Sequence, residues 1–479
     1  MKKHNLLKAI GITFLIFVVL SWIIPVGSFE SGAFVKGKIT PVGLMDIIYF
    51  PILTITTFIQ YGVILLAIGG FYGVVNKTGV YSNIVDYLVK KFKGKEKKFL
   101  IIVISVLSLL SSLSGLVWPL FILVPFLMTV IISLGYSKLT ALASTIGAIL
   151  VGLVGCTYGM SSGYSNYFYN LGIHTDIIAK IAIFVITTFL LIVFVLAKAK
   201  NDTKKESSKK SEDKGESTKV EKPLYDSKAV SKKSVWPLII VAGLAIIALL
   251  VGAYNWYLVF KTPIFTDLYN NIAAVTVGDV PIITNILGYT TVPLGYWGSY
   301  EMSLMLIIAS FLLGWIYNVK FNDIITALGE GAKKVIKPAF YLVLANIIFA
   351  VLLNAQSGTI CTTLTNYMLG LTDSVNVFVA TLISMFGSFF YNDFYYMMSN
   401  IATPVQAVWK DTEFYSVLTI VFQSIYGLMM LFIPTSMILI AGLSLSETSY
   451  KEWIKYIWKY LLQILAVILV IALLLSMLV

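Results

Sequence analysis

The chain has 479 residues, 58% of them hydrophobic and 12% charged, with a mean hydropathy of +0.89. No soluble globular protein of this length buries so large an apolar share, so the composition predicts an all-α polytopic membrane protein with about 10–12 spans. The net charge of +12 sits mainly in loops, as the positive-inside bias of membrane proteins expects, and gives no ground for nucleic-acid binding.

Residues 1–8 form a short basic head, and the apolar run 9–26 is longer than a signal-peptide core and lacks a small-x-small site after it. It reads as a retained first helix entering from the cytoplasm, with residues 29–40 outside. Residues 42–57 contain Asp46 and Pro51 and predict a poor span lying partly in the interface. Residues 61–75 then cross inward, with Gly69, Gly70 and Gly73 permitting close helix packing. The lysine-rich amphipathic stretch 80–98 is a solvated cytoplasmic face, with contact to anionic lipid as a second role.

Residues 99–133 are apolar but are interrupted by Ser111, Ser112, Ser114, Gly115 and Pro119, a pattern that suits two crossings or a re-entrant hairpin with Ser114 and Gly115 at its tip. Residues 139–159 and 177–197 are further spans. Between them, CTYGMSSGYSNYFYNLG at 156–172 carries Ser165 and Asn166. Residues 198–234 are polar, rich in Lys, Ser and Glu, and too poor in apolar residues to bury a core. They predict a disordered cytoplasmic linker between a first transmembrane half (1–197) and a second (235–479).

In the second half, 236–257 spans and 261–297 is a long outer segment. Residues 302–319 cross inward, 322–337 are amphipathic, and 338–353 span before NAQSG at 354–358 breaks the run at Ser357 and Gly358. Residues 375–391 lead into GSFFYNDFYYMMSNIATP at 387–404. Residues 414–445 fit one tilted helix or a helix broken at Pro434. Residues 450–459 read as an aromatic and basic interface belt, and 461–479 is the last span.

The two halves share an order of segments. GVVN at 73–76 followed by SNIVDYL at 82–88 parallels GWIYN at 314–318 followed by FNDIITAL at 321–328. The runs at 99–115 and 340–358 both end in Ser-Gly, and the Ser165 and Asn166 pair parallels Ser399 and Asn400. Duplicated bundles with paired, broken, polar segments point to a secondary transporter with a site near the bilayer midplane.

The stretch 387–404 places Asn392, Asp393, Ser399, Asn400 and Thr403 inside an apolar context. Such an interruption survives in a bilayer only where protein or a water-filled cavity surrounds it, although a polar outer loop between helices also fits. An intramembrane Asp393 suits a substrate ammonium, a sodium ion held with Asn392 and Asn400, or a coupling proton. A carboxylate-bearing solute can be held without arginine, by helix N-terminal amides and Ser, Thr and Asn side chains. The candidate solute site is therefore Ser114, Gly115, Ser165, Asn166, Ser357, Gly358, Asn392, Asp393, Ser399, Asn400 and Thr403. Each serine or glycine has a helix-packing role as its alternative. The tyrosines near both pairs suit a cationic solute or an interfacial belt.

WIIPVGSF at 22–29, GGFYGVVNKTGVY at 69–81, PLFILVPFLMTVIISLGYS at 119–137 and IPTSMILIAGLSLSETSYKEWIKYIWK at 433–459 resemble the ion transporter superfamily. The likeness is closest to its YfcC-type branch, related to the anaerobic C4-dicarboxylate carriers, and covers nearly the whole chain apart from the linker. It implies inverted repeats with Ser-Asn-Thr motifs at paired hairpin tips, where they meet the substrate carboxylate and sodium. Ser399, Asn400 and Thr403 are similar to such a motif with one inserted residue, and Ser165 and Asn166 would be its partner. It also implies a homodimer. One departure is that relatives often carry paired glutamates before the proline corresponding to Pro119, where this chain has Leu116, Val117 and Trp118.

These readings lead to a secondary active transporter, a symporter or exchanger in the cytoplasmic membrane, moving an amino acid or a C4-dicarboxylate by alternating access. Na+ or H+ would be the coupling ion, with no other cofactor. The alternative is a channel or a membrane-embedded enzyme using a polar cavity at Asp393. No filter loop, catalytic dyad or phosphate-cradling Gly-Lys-Ser/Thr motif supports that alternative or a primary pump. Cys156 and Cys361 lie in apolar segments and indicate no disulfide framework. His4 and His174, at the N-terminus and in a loop, indicate neither a histidine metal cluster nor histidine catalysis.

Overall fold

The computed structural model describes residues 5–160, 168, 171, 176–212, 231–353, 359–410 and 412–479. In the first part of the chain, α1 (Asn5–Ile23) is followed by a hairpin of β1 (Gly27–Glu30) and β2 (Ala33–Lys36), then α2 (Leu44–Lys77), α3 (Val80–Phe92), α4 (Glu96–Ser114), α5 (Trp118–Phe121) and α6 (Val124–Ser133). Next, α7 (Lys138–Leu142) passes through a π turn (Ala143–Gly147) into α8 (Ala148–Val154), and α9 runs over Ile177–Glu212.

The second part has α10 (Trp236–Ala253), α11 (Trp256–Phe260), α12 (Ile264–Ala273), the short β3 (Thr276–Val277) and β4 (Val280–Pro281), α13 (Ile282–Leu287) and α14 (Ser299–Ile316). It continues with α15 (Phe321–Leu353), α16 (Ile360–Leu369), α17 (Val377–Phe390), α18 (Phe394–Val408), α19 (Tyr415–Met430), α20 (Met437–Leu445) and α21 (Tyr450–Ser476). Among the described residues, seven helices are long and apolar enough to cross a membrane, and four shorter apolar helices accompany them. The all-α polytopic class is therefore as expected, with strands among the described residues confined to two small hairpins.

Several element boundaries differ from the sequence reading. The poor span at 42–57 and the crossing at 61–75 form one continuous α2, which starts where the Asp46 carboxylate accepts the Gly43 N–H at 2.8 Å. An acceptor of that kind satisfies one of the open amides at a helix start. The amphipathic stretch before Pro338 and the span after it are likewise one helix, α15. Helix α9 runs on to Glu212, so the polar stretch after residue 197 begins helical; residues 213–230 lie outside the described set. The run 414–445 is broken at residues 431–436, around Pro434.

The chain divides into two compact units, each assembled from separated stretches. In the smaller unit (63–83 and 227–334), Gly73 packs backbone to backbone. A Cβ there would lie 2.1 Å from the Ala327 carbonyl oxygen, and one on Gly331 would lie 2.2 Å from that of Gly69. Val74, Ile324 and Ala327 form the adjoining core. The expected role of the glycines around 69–73 is thus realised here: only a missing side chain lets two helix backbones approach so closely.

The larger unit (1–62, 84–226 and 335–479) has α4 packed along α8 and α19 packed on both α8 and α17. Small residues again set the approach. A Cβ on Gly152 would lie 2.4 Å from the Ser108 carbonyl oxygen, and one on Gly427 would lie 2.5 Å from the Val154 nitrogen. Polar side chains tie the same helices together: Ser111 Oγ donates to the Ile149 carbonyl (2.7 Å) and Ser384 Oγ to that of Phe422 (3.0 Å). In a medium without water, each such bond satisfies a group that would otherwise have no partner.

Candidate functional site

Two helix breaks in the larger unit gather its buried polar groups. The first lies between α4 and α8. Helix α4 ends at Ser114, and Gly115 takes a left-handed conformation (φ 68°) that glycine adopts without strain. Ser114 Oγ donates back to the Leu110 carbonyl (2.7 Å) and accepts from Leu116 N–H (3.2 Å). Gly115 and Gly159 touch through their backbones, since a Cβ on Gly159 would lie 1.9 Å from the Gly115 nitrogen.

The C-terminus of α8 is closed by side chains from two other helices. Ser112 Oγ donates to the Gly155 carbonyl at 2.7 Å, and Gln423 Nε2 of α19 donates to the Cys156 carbonyl at 2.5 Å. In return, the Ser112 carbonyl accepts from the Thr157 N–H (3.0 Å) and from Cys156 Sγ (3.3 Å). Both α4 and α8 therefore bring carbonyl ends, the negative ends of their dipoles, to this break.

Lys180 lies in the first turn of α9. It is the only charged side chain in the buried class among the described residues, at 1% exposure. One turn further along, α9 packs at Phe184 against Gly155, at the end of α8. Asp176 is half-buried, sits in a left-handed conformation (φ 49°) just before α9, and has a buried Oδ2 without a hydrogen-bond partner.

The second break lies between α17 and α18. Asn392 Nδ2 donates to Asn346 Oδ1 of α15 (3.2 Å) and to the Thr435 carbonyl (3.1 Å), and the Asn392 carbonyl accepts from Tyr426 Oη (2.7 Å). Asn346 in turn donates to the Leu342 carbonyl (2.8 Å). Asp393 caps α18, its Oδ1 accepting the Tyr396 N–H at 3.1 Å. The neighbouring break at 431–436 leaves Thr435 Oγ1 and Ser436 Oγ buried without hydrogen-bond partners. Its other carbonyls are held by α21: Trp453 Nε1 donates to Leu431 (2.8 Å) and Tyr450 Oη to Phe432 (2.5 Å). Trp453 is fully buried, so this part of the expected interface belt at 450–459 faces the protein interior, as does Tyr460 just after it.

Of the residues singled out from sequence, Ser114 and Gly115 form the first break, and Asn392 and Asp393 form the second. Ser399 and Asn400 lie within the continuous α18, both turned back on the Tyr396 carbonyl (2.8 and 2.9 Å), and Thr403 is exposed. Ser165, Asn166, Ser357 and Gly358 lie outside the described residues. Thr359, the next described residue, is pinned to the β1–β2 hairpin by paired backbone bonds with Gly27 (2.9 and 3.1 Å).

Sequence reading missed Lys180, Asn346, Gln423, Thr435 and Ser436. The signal was present for Lys180 and Asn346, each a single polar residue in an apolar run (IIAKIAIF and LVLANIIF), and for Thr435 and Ser436 directly after Pro434.

Apolar helices whose polar side chains collect at internal breaks define a polytopic membrane protein. The chain matches the family described as DcuC, C4-dicarboxylate anaerobic carrier, over residues 6–478, and it belongs to that family. It is also similar to the Alcanivorax borkumensis YdaH transporter, whose crystal structure has an unusual topology. That likeness has 13% sequence identity and a TM-score of 0.42, covering 99% of this chain and 98% of the other. No protein of curated function matches the chain.

Proposed function

We propose that this protein is a secondary active transporter that moves a small carboxylate-bearing solute, a C4-dicarboxylate or an amino acid, across the cytoplasmic membrane by ion-coupled alternating access. The observation that carries the reading is the buried break at Asn392 and Asp393 in a chain of the C4-dicarboxylate carrier family. Polar groups at such a break are costly in a bilayer and are retained where they serve a solute or ion pathway.

In this reading Ser114 and Gly115 line the first half of the pathway and Asn392 and Asp393 the second. The Asp393 carboxylate already occupies the amide end of α18, so it favours a solute ammonium or a cation over a second carboxylate. Asp393 and Asn400 are two helical turns apart, about 10 Å along the axis, so one sodium ion cannot bind both. A cation site in this half narrows to Asn392 and Asp393. The N-terminus and the linker face the cytoplasm, and a homodimer is the expected assembly.

The test is uptake into proteoliposomes of labelled succinate, aspartate and arginine under imposed proton, sodium or counter-solute gradients. Gradient-driven accumulation of one class supports the reading. Absence of both uptake and exchange for all three overturns it.

A further inference from the structure

The stretch 254–298 joins the end of α10 to the start of α14 and is apolar without forming a core. Its only charged side chains are Lys261, Asp267 and Asp279. All of these residues are described, yet only Tyr254, Val259 and Gly295 are buried. An apolar segment with so little packed inside it needs something other than water against its exposed side.

Both ends of the stretch are clamped at the boundary of the spans. The Gly252 carbonyl, in the last turn of α10, accepts from the N–H groups of Gly295 (2.7 Å) and Trp297 (3.0 Å), and a Cβ on Gly252 would lie 2.4 Å from the Trp297 ring. Trp256 Nε1 donates to the Val251 carbonyl (2.8 Å), so α11 folds back on the same turn of α10. Phe265 of α12 then meets the Trp256 ring with 5.3 Å between centroids. One turn further, Tyr269 Oη donates to the Thr291 carbonyl (3.0 Å). Helix α12 is therefore held one aromatic ring away from the end of a helix that is long and apolar enough to cross the membrane.

The faces of α12 sort by chemistry. Phe265 and Tyr269 make the inward contacts, and Thr266, Asp267, Asn270 and Asn271 gather on the far side. Beside the inward face, Ile264, Leu268 and Ile272, each four residues apart, form one stripe exposed by 59%, 50% and 42%. Exposed apolar side chains of the flanking spans, Ile247 in α10 and Leu304 in α14, carry the lipid-facing surface to the turns where this stretch is clamped. A second copy of the chain fits the stripe less well. Three half-exposed side chains fall far short of the roughly 20–30 residues and about 800 Å² that each partner contributes to a stable dimer.

We infer that α12 lies in the membrane interface, with Ile264, Leu268 and Ile272 inserted among the upper acyl chains and Asp267, Asn270 and Asn271 facing water. The polar face of α12 holds no lysine or arginine, so apolar area attaches it rather than attraction to anionic headgroups. Tyr257, Phe260 and Tyr289, exposed on the same stretch, suit the headgroup level at which amphipathic rings collect.

The experiment uses the full-length protein in phosphatidylcholine vesicles. Leu268→Cys, Ile272→Cys and Asn270→Cys are each labelled briefly with an environment-sensitive maleimide fluorophore. Cys156 and Cys361 are buried, and the wild type serves as the labelling blank. All three substituted positions are exposed, and size-exclusion profiles establish that each variant folds. Quenching is recorded with lipids that carry a nitroxide on the upper acyl chain and, separately, with aqueous iodide. The nitroxide lipid should quench the labels at 268 and 272 at least about threefold more than the label at 270, and iodide should reverse that order. Adding phosphatidylglycerol to the vesicles should change neither result.

Equal nitroxide quenching at all three positions overturns the inference. So does protection of 268 and 272 from both quenchers, which places protein on the stripe; a change in their fluorescence on dilution with unlabelled protein then identifies a second copy. Acyl-chain quenching that appears only with phosphatidylglycerol overturns the apolar attachment. None of these outcomes depends on solute movement, so the transporter reading is tested separately.

Discussion

The side-chain amide of Asn392 reaches Asn346 Oδ1 at 3.2 Å, joining the break between α17 and α18 to the C-terminal third of α15. The same amide group donates to the Thr435 carbonyl (3.1 Å), so one asparagine ties three segments of the larger unit. Replacing Asn392 by Ala leaves two buried acceptors without this donor, at about 1–3 kcal/mol for each group left unmet. Asn346→Leu removes the polar partner and is expected to cost less. Thermal unfolding in detergent of the two single variants and the double variant should show a coupling of about 0.5–3 kcal/mol between the sites.

Asp393 separates stability from transport. Asparagine is as good a helix N-cap as aspartate, so Asp393→Asn keeps an oxygen to accept the Tyr396 N–H. Its unfolding midpoint should stay within a few degrees of wild type, a change of about 0.5 kcal/mol or less. Uptake in proteoliposomes should fall at least about tenfold, the loss expected for removing an intramembrane charge from a solute or ion pathway. Wild-type uptake in this variant would remove Asp393 from the site.

The contact between Gly115 and Gly159 tolerates no side chain. An added Cβ on Gly159 would lie 1.9 Å from the Gly115 nitrogen and 2.3 Å from the Ser114 carbonyl carbon, and backbone cannot rotate away as a side chain can. Gly159→Ala should therefore cost about 3 kcal/mol or more and appear as aggregation in size-exclusion profiles. Gly243 in α10 has nothing within 4 Å of its added Cβ, so Gly243→Ala is the control. It should leave the profile unchanged or stabilise α10 by up to about 1 kcal/mol.

Gln423 is the long-range clasp on the first break, donating to a carbonyl 267 residues earlier in the chain. Gln423→Leu preserves bulk but removes the donor to a buried carbonyl, at about 1–3 kcal/mol. The midpoint in thermal unfolding should fall accordingly, and maleimide labelling of the buried Cys156 should speed up as the end of α8 loosens.

Trp453→Phe tests the break at 431–436 from the opposite side. It keeps a buried ring and deletes only the N–H that donates to Leu431, so a loss of about 1–2 kcal/mol is expected in the same unfolding measurement. A neutral result would mean that solvent reaches this carbonyl.

The sequence alone determined the class and most of the punctuation of this protein. An apolar run of helix-spanning length has no stable alternative in a bilayer, and Gly, Pro, Asn and Asp mark the breaks by their own backbone chemistry, as at Gly115, Asn392, Asp393 and Pro434. What surrounds each break was decided by tertiary structure. Ser399 and Asn400 carried the clearest motif likeness yet lie within α18, because their side chains bond to the preceding turn and the helix continues through them. Asn346, Gln423 and Lys180 read as single polar residues in apolar runs. Only the packing of helices distant in sequence places Asn346 against the break at Asn392 and Gln423 against the carbonyl of Cys156, and only the folded structure buries Lys180. A hydrogen bond or a buried charge depends on which backbones meet, and that is a property of the assembled bundle rather than of any one segment.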